Sequence, residues 1–145
     1  MILVDTNVLI YAFDPGSEYY VWSRETLADA LANEGAAINP LILAELCVGD
    51  HNPETVQHRL AQMGLHFLDL KTEIATTCAH AFRRYLQTRK QAGDRVENKI
   101  PLPDFFIGAH ASVLDLPLAT VDVDRYRTYF PSVRLICPWS TNQKH

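Results

Sequence analysis

Residues 2–13 read Ile2-Leu3-Val4-Asp5-Thr6-Asn7-Val8-Leu9-Ile10-Tyr11-Ala12-Phe13, and the polar triplet Asp5-Thr6-Asn7 splits an otherwise apolar run. Ile2-Leu3-Val4 shows no polar alternation, the pattern of a short strand covered on both faces, as strands of parallel sheets are. Asp5 then stands at the carboxyl end of that strand. A carboxylate wedged between apolar segments is costly unless it finds a partner or a proton, so its presence there calls for a chemical reason.

Outward from this stretch, short apolar runs alternate with helical segments. Residues 8–13 predict a short helix stopped by Asp14-Pro15-Gly16. Ser17 and Glu18 predict the start of a second helix ending near Gly35, with Val21, Leu27, Ala28 and Leu31 on its inner face. Ala36-Ala37-Ile38 is a second strand, after which Asn39 as N-cap and Pro40 at the first helical position open a helix that Gly49 ends; Glu45 lies inside it. Asn52-Pro53-Glu54 repeats this grammar in a segment running to Gly64, and His66-Phe67-Leu68 follows as a strand. Between Lys71 and Lys90, Ile74, Cys78, Ala81, Phe82 and Tyr85 recur at helical spacing, and Gly93 terminates the helix. The polar, Pro-containing stretch 93–103 reads as a loop that delivers Asp104 to the first turn of a helix over residues 105–114. Leu118-Ala119-Thr120-Val121 predicts a strand ending in Asp122, and Arg134-Leu135-Ile136-Cys137 predicts the last one. Such alternation implies an α/β protein whose parallel sheet is covered on both sides.

With 145 residues, 48% of them hydrophobic, the chain suits one domain with a sizeable core, expected over residues 1–139 with a loose tail over residues 140–145. A formal charge of −4 argues against a surface built mainly to grip phosphate backbones, although local basic patches stay open. Cys47, Cys78 and Cys137 form no CxxC pair and fit reduced, packed thiols in a cytoplasmic protein. The apolar start is too short to span a bilayer and lacks the basic lead of a signal peptide, so no membrane association is expected.

Ligands of parallel α/β sheets bind beyond the carboxyl ends of the strands. Asp5 and Asp122 both follow strands and so project from one edge. Glu45 lies about two turns into a helix that begins at that edge, and Asp104 opens another helix. Carboxylates gathered so closely repel one another, and a divalent cation compensates them; oxygen ligands suit Mg²⁺ or Mn²⁺. Such ions activate water and stabilise charge on a leaving oxygen, which makes phosphodiester hydrolysis the natural reading.

The same residues resemble a known family. V-D-T-N-V-L-I-Y at the start, A-E-L around Glu45, L-P-D-F-F-I-G-A around Asp104, and T-V-D before Y-R-T-Y-F-P are similar to a PIN (PilT N-terminus) domain, specifically a VapC-type toxin. The resemblance runs nearly end to end. It implies a three-layer α/β/α sandwich with a central parallel sheet of about five short strands. It also implies Mg²⁺- or Mn²⁺-dependent endoribonuclease activity on tRNA or rRNA, a cognate VapB-like antitoxin, and a homodimer. Carried over position by position, the family's acids fall on Asp5, Glu45, Asp104 and Asp122, with Asp5 and Asp104 as central ligands of one ion or two. Thr6 resembles the hydroxyl residue after the first acid, Asn7 an orienting amide and Thr120 the hydroxyl of the fourth motif, all able to orient the acids by hydrogen bonds. Asp124 departs from the small or basic residue expected there; capping of Arg125-Tyr126 is preferred over a role at the metal.

Other residues have plainer readings. The histidines, His51, His58, His66, His80, His110 and His145, form no ligand pair, and a catalytic base at His110 is the lesser reading. Arg83, Arg84, Arg89, Lys90, Arg95 and Lys99 either hold RNA phosphates or form a solvated helix face. Tyr19, Tyr20 and Trp22 would offer an apolar groove to an antitoxin. Two α/β phosphoryl-chemistry classes fit poorly: Asn7 stands where a dehalogenase-like phosphatase needs an acid, and Ile136-Cys137-Pro138 lacks the Lys of a receiver domain. A non-catalytic domain of the same fold, binding RNA or protein, is the remaining alternative.

Overall fold

The computed structural model describes residues 1–94 and 100–139. Its elements are β1 (Ile2–Val4), α1 (Thr6–Tyr11), α2 (Tyr20–Ala32), β2 (Ala36–Ile38), α3 (Pro40–Val48), α4 (Pro53–Gln62), β3 (His66–Phe67), α5 (Ile74–Gln91), α6 (Pro103–Leu114), β4 (Leu118–Ala119), α7 (Asp124–Tyr129) and β5 (Leu135–Ile136). The strands form one five-stranded sheet in the order β3-β2-β1-β4-β5, and every pairing is parallel. Helices α1, α2, α3 and α4 contact one another, as do α5, α6 and α7, so two helical layers enclose the sheet in an α/β/α sandwich. The expected tail over residues 140–145 lies outside the described residues, as do Arg95 and Lys99.

Topology decides where a site can form. The chain builds β1, β2 and β3 in one direction, then crosses to the opposite flank of β1 for β4 and β5. Strand order therefore reverses between β1 and β4, and a crevice opens at their carboxyl ends. The register sets Val4 beside Ala119, and Asp5 N–H donates to Ala119 O at 2.9 Å as the last rung before the strands part. Leu3, Val4, Ile38, Leu118 and Ala119 are fully enclosed, the burial on both faces that their unalternated sequence requires.

Local signals set the helix starts near the site. Asp5 is the N-cap of α1, its Oδ1 accepting from Thr6 N–H at 2.8 Å, so α1 begins at Thr6 and not at Val8. Asn39 caps α3 by accepting from Ile42 N–H at 3.0 Å, Pro40 follows it, and Gly49 is the C-cap. Pro103 places Asp104 in the first turn of α6. Past the end of α5, Gly93 takes φ 84°, a left-handed geometry that favours glycine.

Helix α2 departs from expectation. Ser17 Oγ accepts from Tyr19 N–H at 3.0 Å in a local turn, which delays the helix to Tyr20. Its buried positions are Ser23, Leu27 and Ala30, whereas Val21 is 62% exposed and Ala28 also faces solvent. Leu27 and the half-buried Leu31 pack on the core as expected, the other inner positions go to Ser23 and Ala30, and Ser23 Oγ is buried without a hydrogen-bond partner.

Candidate active site

The crevice between β1 and β4 is lined from four elements. Asp5 comes from the β1–α1 junction, Asp104 from the first turn of α6, Thr120 and Asp122 from the segment after β4, and Arg125 and Tyr126 from α7. Tyr126, almost wholly buried, joins them: its hydroxyl lies 3.1 Å from Asp5 Oδ2 and 3.4 Å from Asp104 Oδ1. One donor within reach of two carboxylates fixes their separation. Asp5 Oδ2 also accepts from Thr120 Oγ1 at 2.9 Å and from Asn7 Nδ2 at 3.4 Å. Asn7 in turn accepts from Val121 N–H at 3.2 Å and reaches Thr120 Oγ1 at 3.3 Å, so it clamps the β4 exit to the β1 exit.

The acids are not equivalent. Burial drives the Asp5 carboxyl up to about 6 against the donors around it, and the charge of Asp104 pushes in the same direction. Burial likewise raises Asp104, opposed by the Arg125 guanidinium and reinforced by Asp122. Burial and the two acids lift the Tyr126 hydroxyl well above its ordinary value, so it stays a donor at neutral pH. Arg125 Nη1 sits 3.1 Å from Asp104 Oδ2, and the side chains are 32% and 30% exposed. Glu45 is exposed on α3 and tied to the cluster through Thr6, whose Oγ1 donates to Glu45 Oε1 at 3.1 Å. Asp122 is exposed; its N–H donates to Thr120 Oγ1 at 3.1 Å, and its charge is felt at Asp104 and Tyr126.

The structure therefore brings Asp5 and Asp104 together, sets Asp122 near Asp104, and holds Glu45 at the rim through Thr6. Among the described residues no group of three or more acid, histidine or cysteine side chains forms a ready-made metal cage. Two residues that the sequence reading passed over are central here: Tyr126 and Arg125. Both lie on a helix of six residues starting beside Asp122, too short and too charged for periodicity to reveal. The available signal was positional, since a helix opening at the acid edge must aim its first turn into the crevice. Asp124 occupies that first turn with Val123 as the N-cap, so it stands one place inside the expected cap.

The remaining candidates fall elsewhere. His110 is buried, burial pushes its pKa down, and its Nδ1 faces Asn39 Nδ2 at 3.1 Å, a contact that needs an unprotonated ring nitrogen. His51, His58, His66 and His80 are exposed, and His145 lies outside the described residues. Arg84 donates to Tyr129 O at 2.8 Å and Arg89 pairs with Asp94 at 3.1 Å, while Arg83 and Lys90 are exposed on α5. Tyr19 packs between Tyr11, tilted, and Trp139, edge to face, with ring centroids 5.4 and 5.9 Å away, and Tyr20 accepts from Arg24 at 2.7 Å. A more apolar groove of about 310 Å³ lies across α1, α3 and α4, lined by Leu9, Phe13, Leu46, Val56, Leu60 and Met63 among others.

A parallel α/β sandwich that collects carboxylates at its topological switch defines a class of acid-centred domains. Residues 2–131 match the family model described as the PIN domain, and the chain belongs to that family, whose members are generally nucleases. No curated protein sequence matches the chain. Among solved structures it is similar to FitAcB from Neisseria gonorrhoeae, at 27% identity and TM-score 0.63 over 97% of this chain and 99% of that one. It also resembles VapBC2 from Rickettsia felis bound to a DNA fragment from their promoter, at 24% identity and TM-score 0.59 over 94% and 98% of the two chains. VapC20 from Mycobacterium tuberculosis, a sarcin-ricin loop cleaving toxin, shares the fold at 13% identity and TM-score 0.62 over 92% and 99%.

Proposed function

We propose that this chain is a Mg²⁺- or Mn²⁺-dependent endoribonuclease and the toxin of a VapBC-type pair. The observation that carries the reading is the Asp5–Asp104 pair, a buried and a half-buried acid that repel each other and share one hydroxyl at the switch point. A Mg²⁺ ion keeps much of its water and needs only one or two carboxylates, so two converging acids fit it without a three-ligand cage. When bound, such an ion lowers the pKa of a water and offsets charge on phosphodiester oxygens.

The protein's own groups divide the rest of the task. Asp5 and Asp104 hold the ion, and Tyr126, Thr120 and Asn7 fix the direction of their oxygens. Glu45 and Asp122 extend the negative field at the rim, where they favour a second cation or orient water. Arg83 and Lys90, exposed on α5, bind phosphates flanking the scissile bond. The tRNA or rRNA substrate is read by surfaces beyond this cluster.

An antitoxin partner is supported by the company its structural neighbours keep, one of them a toxin-antitoxin complex from Klebsiella pneumoniae. The groove across α1, α3 and α4, with Phe13 63% exposed at its edge, suits an apolar segment of that partner better than the Tyr19–Trp22 region does. A second copy of the chain completes the proposed assembly as a homodimer. Among the described residues no helix is long and apolar enough to cross a membrane.

The alternative, a non-catalytic domain binding RNA or protein, draws on Arg125, which already neutralises Asp104. Incubating purified protein with structured RNA and Mg²⁺ or Mn²⁺ separates the two. Cleavage that EDTA and Asp5→Asn each abolish is the expected result; cleavage that survives Asp5→Asn rules the proposed site out.

A further inference from the structure

Every oxygen of the central acid pair lies within reach of a hydrogen-bond donor of the protein, the Tyr126 hydroxyl offering its one proton to either acid. Asp5 Oδ1 takes Thr6 N–H, and Asp5 Oδ2 takes Thr120, Tyr126 and Asn7. Asp104 Oδ1 takes Tyr126, and Asp104 Oδ2 takes Arg125 at 3.1 Å. All these donors are neutral except Arg125. Where an oxygen has a single neutral donor, as Asp5 Oδ1 and Asp104 Oδ1 do, its second lone pair remains free for a cation. A guanidinium brings a full positive charge, which a nearby divalent ion must confront directly.

Arg125 is also held in place by more than its ion pair. Its Cζ lies 5.4 Å from the Tyr85 ring centroid and 5.7 Å from that of Phe105, so α5 and α6 supply two aromatic faces for the guanidinium. The two rings pack against each other at 5.2 Å, and Phe105 follows Asp104 directly in α6. The cation is thus seated on an aromatic shelf beside the acid. An exposed ion pair of ordinary geometry would have no such seat.

We infer that Arg125 is a tethered counter-cation of the acid pair, which a divalent ion must oppose or displace at Asp104, so that this one side chain sets the ion affinity of the site. The inference rests on the proposed metal-dependent reading and concerns binding before any chemistry. It makes Arg125 a positioning residue whose removal strengthens ion uptake, the opposite of what loss of a structural contact would do.

Calorimetric titration of Mn²⁺ into the wild type, Arg125→Gln and Arg125→Lys tests it. Arg125→Gln is expected to bind Mn²⁺ roughly fivefold more tightly, the scale of a partly exposed ion pair, and Arg125→Lys to stay near the wild type. Equal or weaker binding by Arg125→Gln, with the wild type binding, overturns the inference and leaves the metal reading standing. No uptake by the wild type or by either variant overturns both. The wild type alone gives a second measure by guanidinium NMR. The Arg125 Nε signal should shift as Mg²⁺ is added, and a signal that stays fixed while Mg²⁺ binds overturns the inference without any substitution.

Discussion

At the scale of single residues, the site is a balance between burial and donors. Asp5 accepts four hydrogen bonds, yet burial still raises its carboxyl from ~4 to about 6. For an acid raised in the folded state, the protonated form is the favoured one. Its stabilising contribution is complete below the unfolded value and is lost as pH climbs through about 6. In EDTA the wild type should therefore lose stability relative to Asp5→Asn between pH ~4 and ~7, by up to roughly 3 kcal/mol, in thermal melts across that range. A constant difference between the two proteins would show that Asp5 does not titrate in this way. Tyr126→Phe should keep the fold at a cost of about 1 kcal/mol in urea melts, since it removes one shared hydroxyl from a packed ring. The same substitution should reduce RNA cleavage far more than it reduces stability, because both acids lose their common donor.

At the scale of elements, two contacts decide how the helices meet the site. Asn39 both caps α3 and faces His110 of α6, so Asn39→Ala should cost ~2 kcal/mol in chemical denaturation by removing a cap and stranding a buried imidazole. Gly108 in α6 lies so close to Phe130 that an added Cβ would sit 2.4 Å from ring carbons. Gly108→Ala should therefore destabilise by about 2 kcal/mol despite its better helix propensity, and a neutral result would mean that α6 and the ring can part without cost. Elements were legible where one signal dominated. Unbroken apolar runs matched β1 and β2, the Asn39-Pro40 start and Gly49 stop matched α3, and the period through Ile74, Cys78, Ala81 and Phe82 gave the buried face of α5. Where signals were short or conflicting, the reading slipped. On α2, Leu27 and Leu31 face inward as their spacing suggests but Val21 and Ala28 do not, and the six residues of α7, all charged or aromatic except Thr128, gave no period at all.

At the scale of the whole molecule, the acids share a crevice because the strand order turns back at β1. Asp5 and Asp122 were readable from sequence as residues after strands, whereas the meeting of Asp5 with Asp104 depends on how α6 crosses the sheet, which no local pattern encodes. The same distance between elements hid Tyr126 and Arg125, whose partners lie far away along the chain. A self-repelling acid pair also predicts that Asp104→Asn abolishes metal-dependent cleavage while leaving the melting temperature in EDTA unchanged or raised; a strongly lowered melting temperature would contradict it. The most direct measurement is anomalous diffraction from crystals soaked in Mn²⁺. A peak in contact with the carboxylates of both Asp5 and Asp104 is the predicted result. A fully soaked crystal with no manganese at that crevice, or with manganese bound only elsewhere, would contradict the metal-centred reading.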